Sequence, residues 1–157
     1  MSKAGLKKQL TLLNKEQIID ILLEAYDSRK ETKEYFEFWL NPDEKEELQR
    51  TTEKLFRQFF LSNGKNRKKL YKSEINKIVK DFWNICSGEE VRCRLLFKLS
   101  EFFIIRALTR FRNLSIKPTV DRHLGNALVY MEETGQKEMF GQWYEKLQQN
   151  YNKIRWY

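Results

Sequence analysis

Apolar residues recur at steps of three and four along most of the chain, which is the spacing of one face of an α-helix. The first strong case is NKEQIIDILLEAYDS, where Asn14 precedes a broad apolar face and Gln17 lies in the capping-box position. Before it, Leu6, Leu10 and Leu13 step by four and three and predict a short leading helix. The amino-terminal part of the sequence is therefore predicted to be helical.

The next two segments carry clear boundary signals. In SRKETKEYFEFWL, residues 35–40 are mostly aromatic and predict the buried side of a helix. Asn41 followed by Pro42 predicts the start of another helix, because Asn is a favoured cap and Pro is tolerated in the first turn. Ser62-Asn63-Gly64 predicts the end of that helix, since Gly accepts the left-handed conformation.

Four further helices are predicted by the same spacing. They are KSEINKIVKDFWNIC, a long helix from about Glu89 to Phe111, TVDRHLGNALVYMEETG, and QKEMFGQWYEKLQQNYNKIRWY. Ser87-Gly88 and Gly135 separate consecutive helices, and Pro118 is predicted to break the chain within a loop, RNLSIKPTVDR.

These elements predict an all-α fold of about seven or eight helices with no convincing strand. Their rhythm is typical of antiparallel hairpins, arranged either as an irregular bundle or as a short stack of helical pairs. The 157 residues predict a single all-helical domain over residues 1–157. Apolar residues make up 41% of the chain, which suffices for a core that needs no disulfide or metal.

Charge is distributed unevenly along the sequence. Residues 1–60 hold 11 Lys and Arg against 12 Asp and Glu, a net charge of −1. Residues 61–157 hold 19 against 10, a net charge of +9. A basic second part suits an acidic partner, and it equally suits a surface that only keeps the protein in solution.

Cysteine content and hydropathy indicate the cellular compartment of the protein. Two cysteines are too few for a disulfide scaffold, and the amino terminus MSKAGLKKQL lacks an apolar run of signal length. The most apolar window, LLFKLSEFFIIRALTRF, contains four charged residues and predicts a core helix rather than a membrane span. The sequence therefore predicts a reduced protein in the cytoplasm, with no membrane partner.

Four stretches of the chain resemble a known family. They are SKAGLKKQLTLLNKEQIIDILLEAYD, KEYFEFWLNPDE, FRQFF and KSEINKIVKDF, which together cover roughly the first half. In these stretches the chain is similar to small all-helical bacterial proteins of uncharacterised function that are common in Bacteroidetes. It departs from that family at IIRALTRFRNLSIKPTVDR. The resemblance implies a helical fold in a bacterial cytoplasm, and it carries over no catalytic residue.

The residue types that catalysis and metal binding require are sparse. The single histidine, His123, has Asp121 two residues away, which on a helix points elsewhere, so His123 is predicted to be a surface or helix-start residue. Cys86 and Cys93 lack the paired spacing of a zinc site and are predicted to be small buried groups. No catalytic residue, metal site or cofactor is predicted, and a pocket without a recognisable motif stays open as a third alternative.

The basic run SNGKNRKKLYKS admits two interpretations. It is either a solvated loop, which we favour, or a phosphate contact for RNA or DNA, in which arginines of the following helix would take part. Single-stranded binding also requires exposed aromatic residues, and nearly every Phe and Trp lies on an apolar helix face. The candidate phosphate contacts are Lys65, Arg67, Lys68, Lys69, Lys72, Arg106 and Arg110.

The leading functional hypothesis is a non-enzymatic helical module that binds a protein partner. Stacked helix pairs form grooves that hold peptides or other helices. The aromatic stretch EYFEFWL is a possible contact strip, although we favour core packing for it. The tail offers candidate partner contacts at Ile154, Trp156 and Tyr157, and the alternatives are that it packs on the last helices or buries in a second copy of the chain. Nucleic-acid binding through the basic second part is the alternative function. The identity of the partner and the oligomeric state are left open.

Overall fold

The computed structural model describes residues 2–40, 42–67, 69–109 and 113–157. Within these residues it contains eight α-helices and no strand, apart from one isolated bridge, so the predicted all-α fold is confirmed. The helices are α1 (Lys3–Leu10), α2 (Lys15–Ser28), α3 (Lys30–Leu40), α4 (Glu44–Phe59), α5 (Lys72–Ile85), α6 (Glu89–Leu108), α7 (Lys117–Glu133) and α8 (Lys137–Asn152). A short 3-10 helix, Leu114–Ile116, precedes α7.

The chain groups into two compact units, Met1–Asp43 and Glu44–Tyr157. The first unit holds α1, α2 and α3, and the second holds the other five helices. The organisation as one domain over residues 1–157 stays a prediction.

In the first unit, α2 and α3 pack against each other. The predicted capping box at the start of α2 is confirmed, with Asn14 and Gln17 each accepting a backbone hydrogen bond from the other at 2.9 Å. Tyr26 of α2 lies 6.4 Å from Phe36 of α3 between ring centroids, and its hydroxyl donates to Glu37 at 3.2 Å. Despite this packing, α1, α2 and α3 contain no buried residue.

The prediction that residues 35–40 form a buried helix side is wrong. Trp39 is 67% exposed, Leu40 is 65% exposed and Tyr35 is 47% exposed. Only Phe36 and Phe38 of this aromatic stretch are half-buried. The apolar spacing is that of a helix face, as predicted, but most of this face is open to solvent.

The second unit is built around α6. This helix contacts α4, α7 and α8, and α5 packs on α4. The buried residues of α6 point in all directions around its axis, which is typical of a helix enclosed by others. They are Val91, Cys93, Leu95, Phe97, Leu99, Ser100, Phe102, Phe103, Ile104, Arg106 and Ala107.

Near the two prolines, the observed helix starts differ from the predicted ones. Helix α4 begins at Glu44, so Pro42 precedes the helix instead of opening it, and Asn41 lies outside the described residues. Pro118 lies in the first turn of α7, where its missing N–H is tolerated, and it does not break a loop. The breaks at Ser87-Gly88 and at Gly135, which has a φ of 69°, are confirmed.

A carboxylate from α4 fixes the turn between α5 and α6. One oxygen of Glu44 accepts hydrogen bonds from the backbone N–H of Ser87 at 2.9 Å and of Gly88 at 2.8 Å. From the other side, Arg92 donates to the carbonyl oxygens of Cys86 at 2.7 Å and Trp83 at 2.9 Å. The turn is therefore held by charged groups on both sides.

We predict that Glu44 and Gly88 are energetically coupled. A methyl group at Gly88 would overlap Oε2 of Glu44, so Gly88→Ala displaces the carboxylate and costs about 2 kcal/mol, as Glu44→Ala does. In the Glu44→Ala background, Gly88→Ala should cost much less, because only the Val91 contact at 3.2 Å and the N-cap position remain unfavourable. Urea unfolding of the two single variants and the double variant measures this coupling.

The matched control is Gly125→Ala in α7. A methyl group there meets no atom within 4 Å. It should stabilise the protein by about 0.5–1 kcal/mol and add to Glu44→Ala without coupling. Additive costs for Glu44→Ala and Gly88→Ala would contradict the prediction.

Candidate functional site

The first part of the basic run belongs to a hairpin that follows α4, which we call the basic hairpin (residues 60–67). Phe60 and Asn66 pair as an antiparallel bridge, and Leu61 N–H donates to the carbonyl of Lys65 at 2.8 Å. Gly64 has a φ of 75° and turns the chain at the tip. The predicted helix end at residues 62–64 is therefore displaced, because α4 already ends at Phe59 and Gly64 serves the hairpin.

Arg106 holds the basic hairpin from inside the protein. Its side chain is fully buried, and it donates to the carbonyl oxygens of Phe59 at 3.2 Å and Arg67 at 2.9 Å. Asn66 adds a hydrogen bond to Thr109, at the end of α6, at 2.8 Å. Because its guanidinium faces backbone carbonyls and not solvent, Arg106 is removed from the candidate phosphate contacts.

The other candidate phosphate contacts divide into three groups. Lys65, Arg67 and Lys69 are exposed. Lys72 opens α5 and donates to Thr119 at 2.9 Å. Lys68 and Arg110 lie outside the described residues. Lys72 is exposed as well, so four of the described candidates, Lys65, Arg67, Lys69 and Lys72, are open to solvent.

A groove that the sequence analysis missed lies on α4 and α6. Its volume is about 320 Å³ and its lining is mostly apolar. We call it the Phe56 groove, and it is lined by Thr52, Glu53, Phe56, Arg57 and Phe102. A weak signal exists in the sequence, since Leu55, Phe56, Phe59 and Phe60 make an apolar face wider than one helix contact requires.

Exposed aromatic rings accompany the basic hairpin, contrary to the sequence analysis. Phe56 is 39% exposed and Tyr71 is 48% exposed. The ammonium group of Lys69 lies 5.0 Å from the centroid of the Tyr71 ring. The exposed rings that single-stranded binding requires are therefore present beside the cations.

The tail (residues 153–157) packs against other parts of the second unit, to which it belongs. Ile154 is buried, and the ring of Trp156 lies 5.7 Å from that of Tyr151. Asn113, itself buried, donates to the carbonyl of Arg155 at 3.1 Å and accepts from the N–H of Tyr157 at 3.2 Å. Of the three candidate partner contacts, only the Tyr157 side chain is exposed, whereas Trp156 is half-buried.

The histidine is partly buried within α7 and does not lie at a helix start. His123 lies in α7 and stacks on Phe103 of α6, with 4.6 Å between centroids and 13° between planes. Burial, followed by the nearby charges of Arg122 and Lys72, lowers the pKa of His123 to about 4. The imidazole is therefore neutral at neutral pH and works as an aromatic packing group.

The cysteines are confirmed as buried free thiols. Burial raises the pKa of Cys86 to about 12, with the Glu44 and Glu47 charges adding to the effect, and burial raises that of Cys93 to about 11. Thiols that stay protonated at neutral pH are poor nucleophiles.

In the part of the chain that the structure describes, no three His, Cys, Asp or Glu side chains are grouped to hold a metal ion. None of the described helices combines the length and apolarity of a membrane span.

Deleting residues 153–157 should lower the stability of the protein. The deletion removes the buried Ile154 side chain and leaves Asn113 without two of its partners, so we expect a loss of about 3 kcal/mol or more and a lower Tm. Tyr157→Ala, which removes an exposed ring, is the control and should change stability by less than about 0.5 kcal/mol. An unchanged melting curve for the deletion would show that the tail does not support the fold.

Acid should destabilise the protein through His123. The folded-state pKa of about 4 lies below the ordinary value of 6.5, so between these values the unfolded chain binds a proton that the folded chain does not. Stability is therefore full above pH 6.5 and falls as the pH drops toward 4, by roughly 2 kcal/mol between pH 7.5 and pH 5.

Urea unfolding across this range tests the prediction, with His123→Gln as the comparison. Because His123 is the only histidine in the sequence, the variant should show a flat profile between pH 5.5 and 7.5. Equal slopes in the wild type and the variant would contradict the assignment.

Comparison with known proteins gives a family and no activity. A search of curated proteins and a search of solved structures each found no match. A family model, described as a family of unknown function (DUF6155), matches residues 1–115, which is most of the chain. The protein therefore belongs to the DUF6155 family of unknown function.

Proposed function

We propose that the protein is a non-enzymatic interaction module whose first unit binds a protein partner through apolar side chains. One observation supports this most directly: α1, α2 and α3 contain no buried residue, although the unit is rich in large apolar side chains. Nine of these side chains are exposed among the described residues of the unit. They are Leu6, Leu12, Ile19, Ile21, Leu22, Leu23, Tyr35, Trp39 and Leu40.

The energetics favour covering this surface. Each Å² of apolar surface removed from water contributes about 25 cal/mol, so several large side chains at half exposure provide a substantial driving force for association. Contiguous exposed apolar surface is typical of protein-interaction sites. Trp39, at 67% exposure, is the strongest candidate anchor, because Trp is enriched among residues that dominate binding energy.

Charge favours a basic partner. Residues 15–40 contain seven Asp and Glu and four Lys and Arg. An amphipathic helix with apolar anchors and flanking Lys or Arg would complement both the apolar side chains and the acidic excess. We therefore propose a basic amphipathic helix of another protein as the occupant.

We further propose that the protein works in a bacterial cytoplasm. The support is the pair of cysteines, which are free thiols. A reducing compartment maintains thiols in this state.

The test uses an 18-residue Leu/Lys peptide with helical spacing and its Leu/Glu counterpart as labelled probes in fluorescence anisotropy. The Leu/Lys peptide should bind the full-length protein, and Trp39→Ala should weaken this binding about tenfold or more. Because Trp39 is exposed, the variant should fold normally, which far-UV circular dichroism checks.

The matched control is Val129→Ala in α7. Val129 is 50% exposed but lies in the second unit, so its truncation should leave peptide binding unchanged. Absence of Leu/Lys binding, or equal binding of the Leu/Glu peptide, would refute the proposed partner chemistry.

A further inference from the structure

We propose that the Phe56 groove, together with the basic hairpin beside it, binds single-stranded nucleic acid. In this arrangement one base stacks on Phe56, and the cations at the border of the groove contact the neighbouring phosphates. The surface belongs to the second unit, and the proposal is independent of the partner proposed for the first unit.

The first support is a fixed and accessible aromatic ring. Phe56 packs against Phe60 at 4.9 Å and against Phe102 at 5.9 Å between ring centroids, so its orientation is set by the core. The same ring is 39% exposed in the groove. A preoriented and partly exposed aromatic ring is a platform on which unpaired bases stack, without preference for sequence.

The second support is the position of the cations. Arg57 lines the groove next to Phe56, and the Arg67 side chain donates to the backbone carbonyl of Arg57, which places a second guanidinium at the end of α4. Lys65 is exposed near the tip of the basic hairpin. Among the described residues, no carboxylate forms an ion pair with Arg57, Lys65 or Arg67. These cations are available to phosphate groups.

The hairpin presents its cations in a fixed geometry. Arg106 and Asn66 tie both ends of the hairpin to the rest of the second unit, and Arg67 N–H donates to the carbonyl of Phe59 at 2.9 Å. A preorganised surface loses less conformational entropy on binding than a mobile basic loop would.

Glu53 sets the orientation of the ligand. Glu53 lines the groove, and its carboxylate, which already accepts a hydrogen bond from Gln49 at 3.3 Å, would repel a phosphate placed there, whereas it can accept further hydrogen bonds from the N–H groups of a base edge. The base therefore occupies the groove, and the phosphates lie over Arg57, Arg67 and Lys65. A volume of about 320 Å³ suits one base, and a duplex would keep the face of that base stacked and inaccessible.

The experiment measures fluorescence anisotropy of labelled 12-nucleotide RNA and DNA strands, and of the matching duplexes, with nuclease-treated full-length protein. We expect saturable binding of the single strands and weaker binding of the duplexes. Phe56→Ala should weaken single-strand binding roughly tenfold. Phe56→Trp keeps a stacking face and should restore the affinity, which separates loss of the ring from loss of the fold.

Salt titration tests the phosphate contacts. Arg57→Gln and Lys65→Gln should each reduce the slope of log affinity against log salt by about 0.7. Lys146→Gln removes the same charge from an exposed position on α8 and should reduce affinity much less. Trp39→Ala should leave nucleic-acid binding unchanged, so a failure of the protein-partner proposal would be visible separately.

Three results would overturn the inference. The first is no saturable binding at 50 mM salt. The second is binding that does not distinguish single strands from duplexes and is insensitive to Phe56→Ala, which would indicate diffuse charge attraction. The third is displacement of the strand by polyglutamate as effectively as by unlabelled RNA, which would assign the surface to an acidic protein segment.

Discussion

The second unit depends on the enclosure of α6. This helix carries buried side chains around its whole circumference, so the surrounding helices are required to cover it. The consequence is visible at the α5–α6 turn, where Glu44 from α4 caps the backbone that leads into α6 and Arg92 braces the same turn. His123 also contributes to the packing around α6, since its neutral imidazole stacks on the ring of Phe103. Formation of the core thus explains these polar contacts as well as the apolar ones.

The enclosure of α6 also determines the position of the basic hairpin. A buried guanidinium is costly unless its donors are satisfied, and Arg106 satisfies two of them with the carbonyl oxygens of Phe59 and Arg67. Those carbonyls lie on either side of the hairpin, so the buried cation fixes the segment that carries the exposed ones. The proximity of the hairpin to Phe56 follows, because Phe56 and Phe59 lie on the same helix within one turn of each other. The proposed nucleic-acid surface is therefore an outcome of how the core is completed.

The sequence predicted the helices well and their environments less well. Apolar spacing and caps located most elements, including the capping box at Asn14 and the breaks at residues 87–88 and 135. Spacing shows which face of a helix is apolar, but not what covers it, so residues 35–40 were predicted to be buried and are mostly exposed. For the same reason Arg106 was predicted to be an exposed cation. The carbonyl oxygens that it contacts belong to residues 39 and 47 positions away, which local spacing does not show. The Phe56 groove combines α4 with α6, and such long-range pairings are absent from local periodicity.

Charge and exposed apolar surface divide along the chain in a way that gives each unit a distinct chemistry. The first unit combines apolar side chains with a slight acidic excess, which is suited to a basic amphipathic helix. The second carries the positive charge of the protein and keeps its apolar residues largely inside, so that a ring such as Phe56 is exposed only in part and among cations. An aromatic ring on an apolar surface favours a protein, whereas a single ring bordered by Arg57 favours a base with its phosphates. The neighbours of an exposed side chain, more than its exposure, therefore determine which class of ligand it can recognise.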